Sequence, residues 1–314
     1  MELPVVILKR VSDIRNYEAI QDGIKALLDK FKKKVTMPDK ATVIIKVNLC
    51  MLMGSETGAT VDPRVARAIV EWLKSSYNIE RIIIAEADAT HLSADMAFKA
   101  LGWRKYFREW HPDVELLNLS DDKRVQTKTC FGTEIEMSEK YMNADIMISL
   151  AKLKTHSLQK MTCTMKNLFG ALPEKYKIRY HHRLTDAICE FASARRPDLS
   201  VVDGLIGMDG KGPINGFPKV CRLLIAGNDM IATEYSCARL MGFKPKSIPH
   251  VAKALKLGLG SSRYHFEGDI LENNHLDFKL MPLWEELFRK LIKGIREKKT
   301  ARPYEKTGSH ISDV

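Results

Sequence analysis

Short apolar segments alternate with amphipathic segments along most of the chain. The apolar segments are rich in β-branched residues, and they lie at 5–9, 42–49, 81–87, 114–119, 144–153, 199–204 and 221–227. Segments as uniformly apolar as these suit strands that are covered on both faces. Strands that alternate with helices of ordinary length are joined by right-handed parallel crossovers. The alternation therefore predicts an α/β fold, with an open, mostly parallel sheet and helices on both of its faces.

Two of the intervening segments show clear helix signals. Between Ile14 and Phe31, apolar residues recur at spacings of three and four, which places them on one face of a helix. Asp62 and Pro63 supply an N-cap and a first helical residue ahead of a second amphipathic run. Helices of this kind can cover the predicted strands.

The alternation weakens toward the end of the chain, and this change predicts the domain organisation. We expect residues 1–250 to form the α/β domain and residues 251–299 to form a C-terminal extension with one short strand and an amphipathic helix near Trp284. Residues 300–314 contain almost no large apolar side chain, so little burial would offset the entropy lost on ordering them. We expect them to form a flexible tail.

Composition limits the class of protein. The chain has 314 residues, a formal net charge of +11 and six cysteines, none of them at Cys-x-x-Cys spacing. That spacing argues against an iron–sulfur cluster, and a reducing cytoplasm is the expected location. No run approaches about 18 uncharged apolar residues and no signal peptide is visible, so no membrane segment is expected. The net charge favours an anionic partner, and a homo-oligomer is left open.

Most of the excess positive charge lies in residues 152–183. This segment holds eight lysines and arginines against one acidic residue, Glu174. Lysine charges, threonine hydroxyls and amides together suit a carboxylate or a phosphate. A solvated basic loop is the alternative. A second basic stretch, residues 289–306, is interpreted as a solvated part of the tail.

Polar residues also stand at the carboxyl ends of predicted strands, where open α/β sheets bind their ligands. Lys46 and Asn48 end the second strand, Glu86 ends the third, and Asp203 with Gly204 ends the sixth. Because a buried lysine is costly unless it is paired, Glu86 is the expected partner of Lys46. A purely structural ion pair is the alternative to a catalytic one.

Two hypotheses of function follow from these residues. In the first, the protein is an enzyme of unassigned reaction that acts on a small anionic substrate. Its predicted catalytic residues are Lys46, Glu86, His156 and Lys166. Its predicted substrate-binding residues are Asn48, Lys152, Lys154, Thr162, Thr164, Asn167, Asp203 and Gly204. In the second, the basic segment of a non-catalytic protein binds a nucleic acid or an acidic partner, although no ladder of aromatic residues accompanies it.

Two further roles stay open at this stage. Oxygen ligands suit magnesium or calcium, so Glu86, Asp88 or Asp203 could hold a divalent cation. His181 and His182 could exchange a proton near neutral pH, but adjacent histidines in a loop are more often surface residues.

The order of several motifs resembles the family described as domain of unknown function 362. The motifs are VIIKVNL, IIIAEADA, NADIMISLAKLKTH followed by TCTMKNLFG, LSVVDGLIGMDGKGP and NDMIATEYSCARLMGF, which together extend over about residues 40–270. The resemblance implies an α/β fold and a site region at these motifs, without an established reaction. Family members often carry a ferredoxin-like cluster domain, for which this sequence lacks the cysteines. In the last motif Glu234 stands where the family tends to show a second aspartate.

Overall fold

The computed structural model describes residues 2–269 and 275–280. The strands in this part of the chain are β1 (Val5–Arg10), β2 (Ala41–Lys46), β3 (Ile79–Glu86), β4 (Glu115–Asn118), β5 (Arg124–Lys128), β6 (Glu134–Ser138), β7 (Ile146–His156), β8 (Lys160–Thr162), β9 (Leu199–Asp209), β10 (Phe217–Gly227) and β11 (His265–Gly268). The α-helices are α1 (Tyr17–Leu28), α2 (Pro63–Ser76), α3 (Ala94–Ala100), α4 (Trp103–Trp110), α5 (Glu139–Asn143), α6 (Thr164–Phe169), α7 (Leu184–Ala194), α8 (Met230–Leu240) and α9 (Pro249–Lys256). Short 3-10 helices occupy Asp29–Phe31, Ser55–Thr57, Lys177–Arg183 and Pro245–Ser247.

Nine strands form the main sheet, in the order β11-β1-β10-β9-β7-β2-β3-β4, with β8 paired to β7 beside this path. The five neighbours β9, β7, β2, β3 and β4 are all parallel. β10 is antiparallel to both β9 and β1, and β11 runs parallel to β1. A separate antiparallel pair joins β5 to β6. The predicted α/β fold with a mostly parallel sheet is confirmed.

The strand β2 shows why the apolar segments lack a polar face. Val43 and Ile45 belong to the same apolar cluster as residues of α1 and α2. Ile44, which points to the other side of the sheet, belongs to a cluster with residues of α6 and α7. Both alternating sets of side chains are therefore buried, which is the arrangement expected when helices cover both faces of a parallel sheet.

The two helices predicted from sequence signals are present. Asp62 is the N-cap of α2 and accepts a hydrogen bond from the backbone N–H of Arg64, and Pro63 is the first helical residue. In α1 the side chain of Asn16 caps the helix by accepting from the N–H of Glu18. Side-chain caps of this kind satisfy N–H groups that have no partner within the helix.

The strand β7 is longer than its apolar segment. Lys154 and His156 lie beyond the apolar segment 144–153, yet both belong to the strand, as does Lys152. The reason is tertiary: β7 pairs with β8 over its last three residues and with β9 up to Lys154. By contrast β2 ends at Lys46, so Asn48 lies in the loop that follows it.

The strand β9 also continues beyond its apolar segment, as far as Asp209. Asp203 and Gly204, expected at the strand terminus, are therefore internal residues that pair with β10. The glycine-rich sequence after Asp203 forms the rest of β9, the turn and the start of β10. This pairing was not visible in the sequence because residues 203–209 include four polar or glycine residues, which interrupt the apolar pattern.

The sequence after residue 250 adds α9 and β11 to the described structure. β11 pairs with β1 at the edge of the main sheet, and the described residues up to Leu280 belong to one compact unit. The amphipathic helix predicted near Trp284, the basic stretch 289–306 and the tail 300–314 lie outside the described residues.

Candidate functional site

The carboxyl ends of three adjacent parallel strands, β2, β3 and β7, meet at a cavity of about 160 Å³. The helix α6 and the 3-10 helix after it contribute the rest of the wall. The polar side chains that line the cavity are Asn48, Cys50, Glu86, Thr90, Lys154, His156, Thr162, Lys166, Lys177 and His181. The location agrees with the general position of ligand sites in parallel sheets, beyond the carboxyl ends of the strands.

A buried ion pair lies where β2 and β3 reach the cavity. The Nζ of Lys46 is 2.5 Å from Oε1 of Glu86, and the Lys46 side chain is fully buried. The same Nζ donates to the carbonyl oxygen of Val47 at 2.6 Å. Glu86 Oε2 accepts from the N–H of Leu49 at 2.8 Å, and Oε1 accepts from the N–H of Ala87 at 2.9 Å. The pairing expected from the sequence is present, and it engages both oxygens of Glu86.

Asn167 connects this ion pair to Asn48. Its Oδ1 accepts from Lys46 Nζ and from Asn48 Nδ2, both at 3.3 Å. Its Nδ2 donates to the carbonyl oxygen of Lys46 at 3.0 Å and to Ser149 Oγ at 3.1 Å. Asn167 is fully buried and does not line the cavity. Its amide, predicted to bind the substrate, is engaged by the protein and holds Asn48 in place.

Lys154 reaches from β7 to the loop that follows β2. Its Nζ donates to Ala59 O at 2.6 Å, to Asn48 Oδ1 at 3.0 Å and to the half-buried Cys50 Sγ at 3.2 Å. An ammonium group has three hydrogens, and these three contacts account for all of them. Lys154 therefore adds a positive charge to the cavity wall without a spare hydrogen-bond donor.

His156 is held as a neutral ring. Its Nδ1 accepts from the N–H groups of Leu158 at 3.1 Å and Gln159 at 3.2 Å. Burial and, to a smaller extent, the positive charges of Lys166 and Lys154 together lower the pKa of His156 to about 2. A neutral ring that accepts at Nδ1 has its proton on Nε2. His156, predicted to be catalytic, is thus arranged as a hydrogen-bond donor rather than as an acid or base near neutral pH.

Lys166 and Lys177 are the two cavity lysines whose protonation changes near neutral pH. Burial lowers the pKa of Lys166 to about 8, where Cys50 opposes the shift and Lys154 adds to it. Burial lowers the pKa of Lys177 to about 7, although the charge of Glu86 opposes this shift. Lys177 Nζ donates to the carbonyl oxygen of Gly170 at 2.7 Å. Both amines can therefore hold or release a proton under physiological conditions.

The two predicted threonines differ in their surroundings. Thr162 lines the cavity, and its buried Oγ1 has no hydrogen-bond partner among the described residues. Buried hydroxyls are normally hydrogen-bonded, so this group points to a partner that the protein itself does not supply. Thr164 is fully buried at the start of α6 and does not line the cavity.

A second buried ion pair lies outside the cavity. Lys152 Nζ is 2.8 Å from Asp203 Oδ2, which also accepts from the N–H of Asp62 at 2.9 Å. Asp203 Oδ1 accepts from the N–H of Leu205 at 3.0 Å. Lys152 and Asp203, predicted to bind substrate, instead tie β7 and β9 to the start of α2. Gly204 likewise does not line the cavity, and a Cβ at this position would stand 3.0 Å from the carbonyl oxygen of Leu223 in β10.

A further buried polar group lies behind α6 and includes Glu234. Glu234 Oε1 accepts from the N–H of Met165 at 2.6 Å, and Glu234 Oε2 is 3.5 Å from His250 Nε2. His250 Nδ1 is 3.1 Å from Gln159 Oε1. Because the N–H of Gln159 bonds to His156, this chain of contacts reaches the cavity wall.

The acidic residues considered for a divalent cation are engaged by protein donors. Asp88 Oδ1 accepts from Ala94 N–H at 2.9 Å and from Asn118 Nδ2 at 3.0 Å. Glu86 and Asp203 are held by the ion pairs described above. Throughout residues 2–269 and 275–280, no three His, Cys, Asp or Glu side chains come together as a metal-binding group. All six cysteines are free.

The structure brings half of the predicted site residues to one cavity. Those that line it are Asn48, Glu86, Lys154, His156, Thr162 and Lys166, and those that do not are Lys46, Lys152, Thr164, Asn167, Asp203 and Gly204. Sequence reasoning did not select Cys50 or Lys177, and it left open the role of His181, an exposed residue that lines the cavity. Lys177 belonged to the basic segment that was singled out, but no local pattern distinguishes it from its exposed neighbours.

A mostly parallel α/β sheet with a small, lysine-rich cavity at its carboxyl edge defines the class of protein. The chain belongs to the family described as Domain of unknown function (DUF362), whose family model matches residues 43–239. That match includes every residue that lines the cavity. The resemblance inferred from the sequence motifs is confirmed.

One curated relative is a thylakoid-associated protein of Synechocystis sp. It is 36% identical over 143 residues, which make up 43% of this chain and 44% of the relative. The chain thus matches less than half of the length of this relative. None of the helices in the described part of the chain has the length and apolar character needed to cross a bilayer.

Two solved structures share part of the chain path. A protein from Thermotoga maritima matches with a TM-score of 0.41 and 13% identity, over 73% of this chain and 59% of that one. The lactate racemase apoprotein from Thermoanaerobacterium thermosaccharolyticum matches with a TM-score of 0.43 and 12% identity, over 65% of this chain and 51% of that one. Both similarities concern the fold alone.

Proposed function

We propose that the cavity is the substrate site of an enzyme and binds a small molecule through a carboxylate or phosphate group. The observation that supports this proposal is an excess of positive charge. Lys154, Lys166 and Lys177 line one small cavity, and none of the three forms a salt bridge within the described residues. The single carboxylate on the wall, Glu86, is paired with Lys46.

Such an arrangement is unfavourable without a ligand. Like charges in a partly desolvated cavity repel one another, and this repulsion contributes to the low pKa values of Lys166 and Lys177. An anion would offset the repulsion and would also supply an acceptor for the unpartnered hydroxyl of Thr162. The Nε2–H of His156 and the remaining N–H groups of Lys177 complete a set of donors suited to carboxylate or phosphate oxygens.

The size of the cavity favours a small ligand over a nucleic acid. Sites for drug-sized molecules usually have volumes of about 300 to 1,000 Å³, whereas this cavity has about 160 Å³. Moreover, Lys152 and Lys154 of the basic segment are buried rather than displayed on a surface. A phosphate backbone needs an extended basic surface, which buried lysines cannot provide.

Binding of simple anions tests the proposal directly. Isothermal titration calorimetry of the full chain with sulfate, phosphate and pyruvate should show one site. Lys166→Gln and Lys177→Gln should each weaken binding about 10- to 100-fold, the loss expected for one charge-assisted hydrogen bond. Lys105→Gln, which changes an exposed lysine on α4, is the matched control and should have no effect.

The outcomes separate the two hypotheses. If wild-type protein binds none of these anions at millimolar concentration, the proposed site is wrong. If it instead binds an oligonucleotide with an affinity that falls steeply with salt and is indifferent to Lys166→Gln, the nucleic-acid hypothesis takes its place.

We further propose a cytoplasmic location and self-association into a homo-oligomer. Six free cysteines fit a reducing compartment. Fractionation of the native cells and native mass spectrometry test the two statements. Recovery of the protein with membranes would contradict the first, and a monomer at micromolar concentration would contradict the second.

A further inference from the structure

Lys166 differs from the other cavity lysines in the bonding of its amine. Lys154 Nζ has three acceptors and Lys177 Nζ has one. Lys166 Nζ has no hydrogen bond or salt bridge to any described residue, and it lies 4.7 Å from the ring centroid of Phe169. The side chain is half-buried and lines the cavity. Its amine is therefore free to meet a ligand.

The lowered pKa of Lys166 leaves part of this amine unprotonated, and the unprotonated amine is a nucleophile. With a pKa of about 8, roughly one Lys166 in ten is unprotonated at pH 7, against fewer than about one in a thousand for an ordinary lysine. Desolvation and a neighbouring cation are the two means by which proteins activate lysine for attack on carbonyl groups. Both act here, since burial and the charge of Lys154 lower the pKa of Lys166.

The groups around this amine can hold a carboxylate. Thr162 Oγ1 is buried without a partner, and the Nε2–H of His156 is the remaining donor of that ring. Both residues line the same cavity as Lys166. Lys154 also lines it, and its positive charge acts on His156. If these groups bound the carboxylate of a molecule, the rest of that molecule would contact the other residues that line the small cavity.

We propose that Lys166 forms a Schiff base with the carbonyl carbon of a 2-oxo acid whose carboxylate is held by Thr162 and His156. The proposal rests on the proposed function and names the substrate class of the same site. The Lys166 Nζ lone pair forms the new C–N bond, and the π electrons of the C=O bond move to the oxygen. The C–O bond then breaks and the oxygen leaves as water, so amine, carbonyl and one proton give iminium and water without any oxidant or reductant.

Lys177 is placed to exchange the protons of this step. It lines the same cavity, and the charge of Lys166 is among the causes that lower its pKa to about 7. Both of its protonation states are therefore populated at neutral pH. Glu86 is less suited to this role because its two oxygens are engaged by Lys46 and by backbone N–H groups.

Reductive trapping tests the proposal. The full chain is incubated with pyruvate and sodium cyanoborohydride, which reduces an iminium, and is then mapped by peptide mass spectrometry. One carboxyethyl group should appear on Lys166, and L-lactate, which lacks the carbonyl, should give none. Sulfate should suppress trapping in the wild-type protein because it competes for the same donors. 2-Oxobutyrate and 2-oxoglutarate are tried in the same way, as longer 2-oxo acids.

Variants separate the covalent step from anion binding. Lys166→Arg keeps the positive charge, so it should still bind sulfate within about tenfold of wild type, but it should lose the adduct completely. Lys105→Arg, the exposed control, should leave trapping unchanged. If Lys166→Arg does not fold, the competition with sulfate in wild-type protein still decides the question.

Three results would each overturn either the Schiff base or the proposed function. Sulfate binding without an adduct on Lys166 from any of the three 2-oxo acids would overturn the Schiff base and leave the proposed function intact. Labelling of Lys166 no faster than that of exposed lysines such as Lys105, and insensitive to sulfate, would overturn it equally. Failure of the wild-type protein to bind any anion would overturn the proposed function itself.

Discussion

Replacing Glu86 by glutamine should destabilise the protein strongly. The ion pair with Lys46 is buried, with side-chain exposures of 0% for Lys46 and 7% for Glu86 and a separation of 2.5 Å. Removing one partner of a buried pair leaves the other charge uncompensated, which costs about 3 to 5 kcal/mol. In this protein Lys46 would keep only neutral acceptors, the carbonyl oxygen of Val47 and Oδ1 of Asn167.

Because Glu86 also accepts backbone hydrogen bonds, the glutamine substitution should destabilise the protein more than the loss of charge alone would. Each carboxylate oxygen accepts one backbone N–H, Oε2 from Leu49 and Oε1 from Ala87. A glutamine amide has a single oxygen, so its NH2 group must face one of these two donors in either orientation. We therefore expect Glu86→Gln to lower the free energy of unfolding by about 4 to 5 kcal/mol, toward the upper end of that range.

Urea unfolding measured by circular dichroism tests this expectation, with Lys46→Met and the double variant completing a double-mutant cycle. In a protein of 314 residues, about 4 to 5 kcal/mol corresponds to a fall in Tm of roughly 6 to 8 °C. The double variant should be more stable than the sum of the single losses predicts, by about 1 to 3 kcal/mol, because it removes both charges together.

The control is an ion pair on the surface with a similar distance between its nitrogen and oxygen atoms. Lys123 and Glu139 are 2.7 Å apart, but the Lys123 side chain is 74% exposed. Lys123→Met should lose far less stability than Glu86→Gln, because exposed ion pairs are screened by solvent. Two results would refute the reasoning: a loss from Glu86→Gln no larger than that from Lys123→Met, or strict additivity in the cycle.

Three further predictions follow from the site. Asp203→Asn should lower the free energy of unfolding by about 3 kcal/mol, measured in urea, yet leave sulfate affinity within about twofold by calorimetry, because the pair with Lys152 lies outside the cavity. Sulfate affinity should be greatest below pH 7 and should fall as pH rises through the pKa values of Lys177 and Lys166, about 7 and about 8. An anion prefers the protonated lysines and raises their pKa values, so the loss should approach tenfold per pH unit for each proton taken up; an affinity that is flat from pH 6 to 9 would contradict this. Asp62→Ala removes the N-cap of α2 and should cost about 1 to 2 kcal/mol in the same urea assay.

The fold could be predicted from the sequence because its parallel strands are buried on both faces. Val43, Ile44 and Ile45 are all buried, so the uninterrupted apolar run in the sequence indicates that both faces of the strand are covered. The Lys46–Glu86 pair followed from the same argument. A charged residue at the end of such a strand must be paired, and adjacent parallel strands end at the same edge.

The second half of β9 could not be predicted in the same way. This half of the strand pairs with β10, residues 217–227, which runs antiparallel to it. Backbone hydrogen bonds of this kind place little restriction on the type of side chain, so the sequence does not indicate them. The two-stranded sheet of β5 and β6 was missed for a related reason. β5 alternates between exposed and half-buried residues, and β6 does the same until its last two residues, which are buried.

The roles of individual lysines were beyond sequence reasoning because they depend on partners that are distant along the chain. Lys152 is neutralised by Asp203, 51 positions away, and Lys154 is held by the loop after β2, 95 to 106 positions away. Lys177 is buried only because α6 ends beside it, which allows its Nζ to reach Gly170 O. Composition indicated that the segment was basic, but it could not indicate which charges the fold compensates.

The register of β7 divides the charges of this segment between structure and ligand binding. Residues two apart in a regular strand point to the same side, so Lys152 and Lys154 would be expected to share one environment. The pairing of β7 with β9 is irregular between these two residues, however, with a shift in register from Lys152↔Asp203 to Lys154↔Met208. Irregularities of this kind re-aim side chains and are frequent beside binding sites. Here Lys152 meets a carboxylate, whereas Lys154 meets neutral acceptors at the cavity and keeps its charge uncompensated, so the positive field at the cavity is set by strand register rather than by composition.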